Sequence, residues 1–367
     1  MNVLITYQGF GGVQRHRLHD PFQNLHASGA GVNVQHTPSL DGIREEDWKQ
    51  LEQFDVVVFN RNISPVMDPR PVFDMLRSMN IKIVIDIDDY WEIPKYHVAN
   101  EWYKLTNVAE AMKVQMLNAD QVWVTNKHLG SYVEEFNKDW RVIPNAIDPA
   151  MFPAEGNEYT DKVFYQGSVT HRRDLELIKD MDITVCGYVE KDAEWEKIRK
   201  MMPNAHMEDA RDAMVYHELY FDKGVCVIPL KQNKFNRAKS NLKMLEAGYY
   251  QKAVVVTNTH PYTPFARDNQ NCLLVKDGDY ESRLKGLLKS RQWQDDLRFQ
   301  LHEDVMSKHH MKIVNASRLS ALCELYNDRH NGKTKTKTWR PTRASKKKTK
   351  ALKAAWDRAV ARAKEGS

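Results

Sequence analysis

Short apolar runs alternate with helix-length amphipathic segments along most of this chain, and that alternation restricts the fold more than any other feature. Runs at 2–7, 55–59, 82–86 and 121–125 read as buried strands, separated by segments of helical spacing at 15–25, 71–78 and 102–117. Pro144 and Pro149 then interrupt an apolar strand end at 142–149 and mark a boundary. A second series follows, with strands expected at 163–166, 183–186, 224–228, 253–257 and 272–275, then long helices at 280–289 and 293–308. Strands that alternate with helices imply parallel pairing, because a parallel crossover needs about a dozen residues. At 367 residues the chain exceeds one ordinary core. The expectation is therefore an α/β protein of two doubly wound parallel-sheet domains, 1–148 and 149–330, followed by a basic segment, 331–367. The cleft between two such domains is where a ligand is expected.

Composition narrows the function classes. Hydrophobic residues at 42% and charged residues at 28% describe a globular protein. No apolar run approaches the ~18 residues that span a bilayer. The opening Met1 to Tyr7 lacks the basic region and cleavage site of a signal peptide, so a cytoplasmic location is expected. Cys186, Cys226, Cys272 and Cys323 are far apart and show no CxxC spacing, which argues against a disulfide framework or a zinc site.

The segment from Val227 to Gly248 carries the strongest chemical signal. An apolar strand runs into a polar loop and then a helix on which Lys239, Lys243 and Glu246 fall at i, i+4 and i+7, on one face. Leu242, Leu245 and Tyr249 share another face, suited to packing on the sheet. Lysines at a helix N-terminus attract phosphate, and a carboxylate two turns on suits sugar hydroxyls. A solvated helix face is the plain alternative, weakened by its place after a buried strand, where open α/β sheets bind ligands.

Three further clusters lie at strand ends. Gly9, Gly11 and Gly12 form a turn between the first strand and the first helix, without matching the dinucleotide fingerprint. Gly167, Ser168, Thr170, His171, Arg172 and Arg173 follow the first strand of the second series, placed to meet phosphate oxygens or a sugar. Asp86, Asp88 and Asp89 end the third strand, where carboxylates bind a metal, position hydroxyls or stabilise positive charge in a sugar transition state. Capping of the next helix is the alternative for Asp88 and Asp89. His97 follows within reach of the same edge.

Taken in order, the N-terminal glycine turn, Ile143 to Asp148, Gly167-Ser168, the lysine-rich segment ending at Leu245-Glu246-Ala247, and Asn271 to Asp279 resemble a glycosyltransferase of the GT-B fold, close to retaining family four. The resemblance covers about residues 1 to 325. Asp86 to Trp91, with its DxDD order, together with Ser240 to Glu246, is similar to a bacterial and phage branch of that family. It implies two Rossmann-like domains and a nucleotide-sugar donor, with no obligatory metal or other cofactor. Glu246 then matches the second glutamate of the E-x₇-E motif, which binds the ribose. Ala238 stands where the first, sugar-contacting glutamate would be, leaving the amides near Ser240 and Asn241 to bind the sugar. Ser168 and Asp174 occupy the places of the usual phosphate-binding Arg and Lys, so Arg172, Arg173, Lys239 and Lys243 become the expected diphosphate partners. The Asp86 to Asp89 cluster replaces a histidine, and Asp88 is the expected contact of the transferred sugar. Retaining transfer to an acceptor hydroxyl is the implied reaction, with Asp88, Lys239 and Lys243 as its catalytic groups.

The net charge of +5 hides an asymmetry. Residues 331–367 hold 13 Lys and Arg against Asp357 and Glu365, a net +11, while residues 1–330 hold 41 basic and 47 acidic residues, a net −6. Residues 333–350 are of low complexity, and 351–364 read as a helix with a thin stripe of Leu352, Trp356 and Val360. An anionic membrane surface suits an enzyme acting on envelope or lipid-linked glycans. Nucleic acid suits one that glycosylates hydroxymethylated bases of phage-type DNA. A non-catalytic nucleotide-sugar or nucleic-acid binding module is the reading from a different class, favoured by the missing first glutamate.

Overall fold

The computed structural model describes residues 1–7, 9–40, 45–63, 68–276 and 278–331. The low-complexity run and the helix expected at 351–364 lie outside the described residues. Among the described residues, two compact units divide the chain: Met1–Ile143 with 315–331, and Pro144–Val314.

The first unit holds a six-stranded parallel sheet in the order β2-β1-β3-β4-β5-β6. Its strands are β1 Asn2–Thr6, β2 Asn33–Thr37, β3 Val56–Asn60, β4 Lys82–Ile87, β5 Gln121–Val124 and β6 Trp140–Val142. β3 and β4 are buried along their whole length, as strands covered on both faces must be. β2 was not expected. It is an edge strand of polar sequence, with no buried residue and so no apolar run to mark it. The single helix anticipated at 102–117 is two, Asn100–Thr106 and Val108–Asn118, broken at Asn107 with φ 54°, a left-handed conformation that asparagine tolerates.

The second unit repeats the design in the order β12-β11-β10-β7-β8-β9, again parallel throughout. Its strands are β7 Val163–Gln166, β8 Thr184–Tyr188, β9 His206–Asp209, β10 Val225–Ile228, β11 Ala253–Thr257 and β12 Leu273–Val275. Alternate strand residues feed two cores. Phe164, Cys226, Val254 and Val256 enter one, and Tyr165, Val225, Val227 and Val255 the other. Chain order reverses between β7 and β10, a switch point that opens a crevice outside the carboxyl ends of those strands.

The helix Leu242–Tyr249 packs Met244, Leu245, Ala247 and Tyr249 into the first of these cores, while Leu242 is only half-buried. Gly248 lets the helix Arg291–Lys308 approach closely: a Cβ there would lie 2.7 Å from Leu301 Cγ and 2.9 Å from Val305 Cγ2. Lys239 is not on this helix, contrary to the i, i+4, i+7 expectation. It sits in the turn after a separate short helix, Lys234–Arg237, because the chain breaks at Ala238 to Asn241.

One long element escaped the sequence reading altogether, the helix Met311–His330. From Asn315 it belongs to the first unit, whereas the reading gave residues up to 330 to the second domain and placed the boundary at 148. The Asn315 side-chain amide donates to the Pro21 carbonyl and to Asn24 at 2.9 Å each, and Arg329 pairs with Asp55 at 3.3 Å. These polar buried contacts carry little hydrophobic signature.

Candidate functional site

In the second unit the site grows from the loop after β7. Gly167 is required by packing, since a Cβ would overlap the Tyr165 hydroxyl; Gly187, at φ 107°, likewise lies against the Gly167 carbonyl. Ser168 is exposed, with its hydroxyl 2.7 Å from that of Thr170. His171 turns inward and is buried, its Nδ1 2.8 Å from Asp174 Oδ2. Asp174 Oδ1 accepts from the Lys231 backbone N–H and from Asn236 Nδ2, both at 2.9 Å, so one carboxylate ties the loop after β7 to the loop after β10. Asp174 marks its place in sequence only as a departure from the family pattern. Lys231 and Asn236 carried no signal.

Lys243, the second residue of its helix, brings its ammonium 3.5 Å from His171 Nε2 and 5.9 Å from the Tyr165 ring centre. Burial, and then the charge of Lys239, pull the Lys243 pKa below the usual lysine value. Lys239 itself lies 4.5 Å above the Phe235 ring. Burial and the Lys243 charge push His171 down to about 4, despite Asp174. Burial works against the Asp174 anion, yet the hydrogen bond from His171 and the Lys231 amide hold its pKa below the usual range. The arrangement therefore concentrates positive charge around a neutral imidazole, which is what an anion site requires.

Glu246, one turn on from Lys243, is buried and accepts hydrogen bonds on both oxygens, from the Tyr216 hydroxyl at Oε1 and from Tyr220 at 2.8 Å at Oε2. The tyrosines were missed: both come from the 3₁₀ turn Tyr216–Tyr220, and no local spacing announces that they meet on Glu246. Ser240 accepts from Asn145 Nδ2 at 3.0 Å, and Asn241 precedes the helix. Ala238 is fully buried. Arg172 and Arg173, expected to serve the diphosphate, pair with carboxylates of their own unit: Glu194 at 3.1 Å and Glu176 at 2.8 Å.

In the first unit, the acidic run at the end of β4 is matched by arginines. Asp86 is fully buried and accepts a two-pronged pair from Arg17, Nε to Oδ1 at 3.0 Å and Nη2 to Oδ2 at 2.7 Å. Arg17 reaches it because the expected first helix is interrupted by a π-helical turn, Arg15–His19, which buries three consecutive polar residues. Arg61 does the same for Asp88, at 2.7 and 2.6 Å, and lies 3.3 Å from Asp89. Arg61 holds φ 60°, a strained value, directly after β3. Burial opposes ionisation of Asp88, but the Arg61 charge and hydrogen bonds, with Asn60, hold its carboxyl below the usual range. Neither Asp88 nor Asp89 caps a helix: the next one, Asn100–Thr106, starts at Ala99 without a side-chain cap. His97 Nδ1 accepts locally from the Ala99 amide. In the N-terminal turn, Gly9 has φ 69°, Gly11 accepts the Arg15 amide through its carbonyl, and a Cβ on Gly12 would meet open space. Among the described residues, no group of three His, Cys, Asp or Glu is placed to hold a metal ion, and no helix is long and apolar enough to cross a membrane.

No protein-family profile matches the chain, and no curated protein matches it in sequence. Solved structures do. Sucrose-phosphate synthase from Thermosynechococcus elongatus superposes with a TM-score of 0.65 at 13% identity, covering 89% of this chain and 99% of its own. An α-glucosyltransferase in complex with UDP gives 0.62 at 11% identity, over 88% and 99%. HepE of Anabaena in complex with UDP-glucose gives 0.59 at 12% identity, over 88% and 100%. Together with the two switched parallel sheets, these likenesses show the fold: two Rossmann-like α/β domains of the GT-B type, the architecture of several nucleotide-sugar-dependent glycosyltransferases.

Proposed function

We propose that the protein is a glycosyltransferase that uses a nucleotide-sugar donor and retains anomeric configuration, as the resemblance to family four suggests. Lys243 carries this reading. Its ammonium faces a neutral imidazole and the Lys239 charge, at a strand-order switch point and one turn before a buried carboxylate. A diphosphate is the ligand whose charge suits the lysines, and a ribose the one whose hydroxyls suit Glu246. The structural neighbours bound to UDP and UDP-glucose support the same donor class. In the reaction, the acceptor hydroxyl oxygen bonds to the anomeric carbon as the bond to the diphosphate oxygen breaks. The diphosphate departs with the electron pair and takes up the hydroxyl proton. Lys239 and Lys243 stabilise the charge growing on it, with the amides after Gly167 and near Ser240 and Asn241. Asp88, held rigid by Arg61 and Asn60, is the proposed contact of the transferred sugar.

The proposed acceptor is a glycan or lipid-linked glycan. Hydroxymethylated DNA is the second reading, motivated by the +11 charge of residues 331–367. Calorimetry with a panel of nucleotide sugars, followed by assay of released nucleoside diphosphate, tests the function. One donor should bind and turn over in the wild type and fail in Lys243→Ala. Binding without turnover on any acceptor supports a non-catalytic module, and no binding at all overturns the donor site.

A further inference from the structure

We propose that Asp174 and His171 are positioning residues that aim the Lys243 ammonium at the donor diphosphate through a fixed histidine tautomer. The inference rests on the donor site proposed above and adds to it residues that touch no substrate.

Asp174 has one oxygen occupied by two N–H donors, the Lys231 amide and Asn236 Nδ2, each at 2.9 Å. Its other oxygen is 2.8 Å from His171 Nδ1. A carboxylate only accepts, so Nδ1 must carry the proton. The neutral ring then leaves its lone pair on Nε2, and 3.5 Å beyond Nε2 stands the Lys243 ammonium, which only donates. The chain Asp174, His171, Lys243 thus has one consistent direction of donation. Burial makes it stiff, since Asp174 and His171 are 4% and 9% exposed. An imidazole acceptor holds the ammonium without neutralising it, as a carboxylate at that place would. Lys243 therefore loses its freedom to swing away without a negative charge being set against its ammonium by this contact.

The substitution Asp174→Asn reverses the chain while preserving shape. Its amide oxygen must face the two N–H donors, so its amide nitrogen faces His171 Nδ1 and forces the proton onto Nε2, against the ammonium. His171→Gln beside the intact Asp174 keeps the direction, its amide nitrogen donating to the carboxylate and its amide oxygen accepting from Lys243, whereas in Asp174→Asn/His171→Gln one of the two contacts must set donor against donor.

The experiment measures the dissociation constant of the tightest-binding member of UDP, GDP, ADP, CDP and dTDP, with thermal melting to confirm folding. Asp174→Asn should weaken binding about tenfold, the weight of one charge-assisted contact. It should change nothing further in a Lys243→Ala background; His171→Gln alone should lose less than Asp174→Asn, and adding it to Asp174→Asn should recover nothing. Nitrogen NMR of the histidine ring should show the Nδ1–H tautomer in the wild type and the Nε2–H tautomer in Asp174→Asn. Additive losses in the double-mutant cycle, or an Nε2–H tautomer in the wild type, overturn the relay while leaving the donor site standing. A wild type that binds none of the five overturns both.

Discussion

At the end of β4 every carboxylate of the acidic run meets an arginine, whereas at the start of the helix Leu242–Tyr249 an ammonium meets an imidazole and a second ammonium's field. The two edges have the same topology, the carboxyl ends of central parallel strands, and opposite electrostatics. In the first unit the carboxylates at this edge bind arginines of the same unit. In the second, two lysine charges act on each other beside a neutral imidazole, and like charges gathered at a switch point suit an anion.

Breaking the balanced edge should have the largest effect. Asp86→Ala leaves Arg17 buried without its carboxylate and should cost about 3–5 kcal/mol in urea unfolding. A loss below about 1 kcal/mol would mean that the pair does not hold the first unit together.

The second unit also contains a cation that is structural, which sharpens the contrast. Lys252, fully buried just before β11, donates to the carbonyls of Glu158 at 2.9 Å and Lys223 at 2.7 Å. Burial, then the charge of Lys223, lowers its pKa to about 7. The unfolded chain then binds more protons than the folded one between pH 7 and the ordinary lysine value. Stability from this group is lowest below pH 7 and rises with pH above it, by at most about 1.4 kcal/mol per pH unit. The stability difference between wild type and Lys252→Met should therefore change with pH over 7–9; a constant difference contradicts the depressed value.

Lys243→Ala should leave the unfolding midpoint nearly unchanged and weaken nucleoside diphosphate binding by about 10- to 100-fold, as expected for charge-assisted phosphate contacts. An equal loss of stability would place Lys243 with Lys252 instead. The smallest effect is expected of Glu246→Gln, about 1 kcal/mol in donor binding, seen mainly as reduced preference for ribo- over 2′-deoxyribonucleotides. An unchanged preference would mean that Glu246 does not meet the ribose.

Legibility in the sequence followed burial. The runs in β3, β4, β10 and β11 were readable because strands buried on both faces are mostly apolar. β2 and β9, Asn33–Thr37 and His206–Asp209, were not, because strands at a sheet edge keep polar side chains and show no run. In the site, Lys243 and Glu246 were found because three residues on a helix place side chains together. Arg17 and Arg61 were not, since they meet Asp86 and Asp88 across 69 and 27 residues of chain. Arg172 and Arg173 were assigned to phosphate from their place after the glycine turn and from the family resemblance, and their ion pairs with Glu194 and Glu176 depend on how neighbouring turns pack.

The sequence by itself determined the α/β class, the series of parallel strands and the helix that carries Lys243 and Glu246, because each is written in local periodicity. Only the tertiary structure decided which charges cancel. A carboxylate is matched or left over according to what the fold brings within 3–4 Å of it, and that distance is set by packing between segments far apart in the chain.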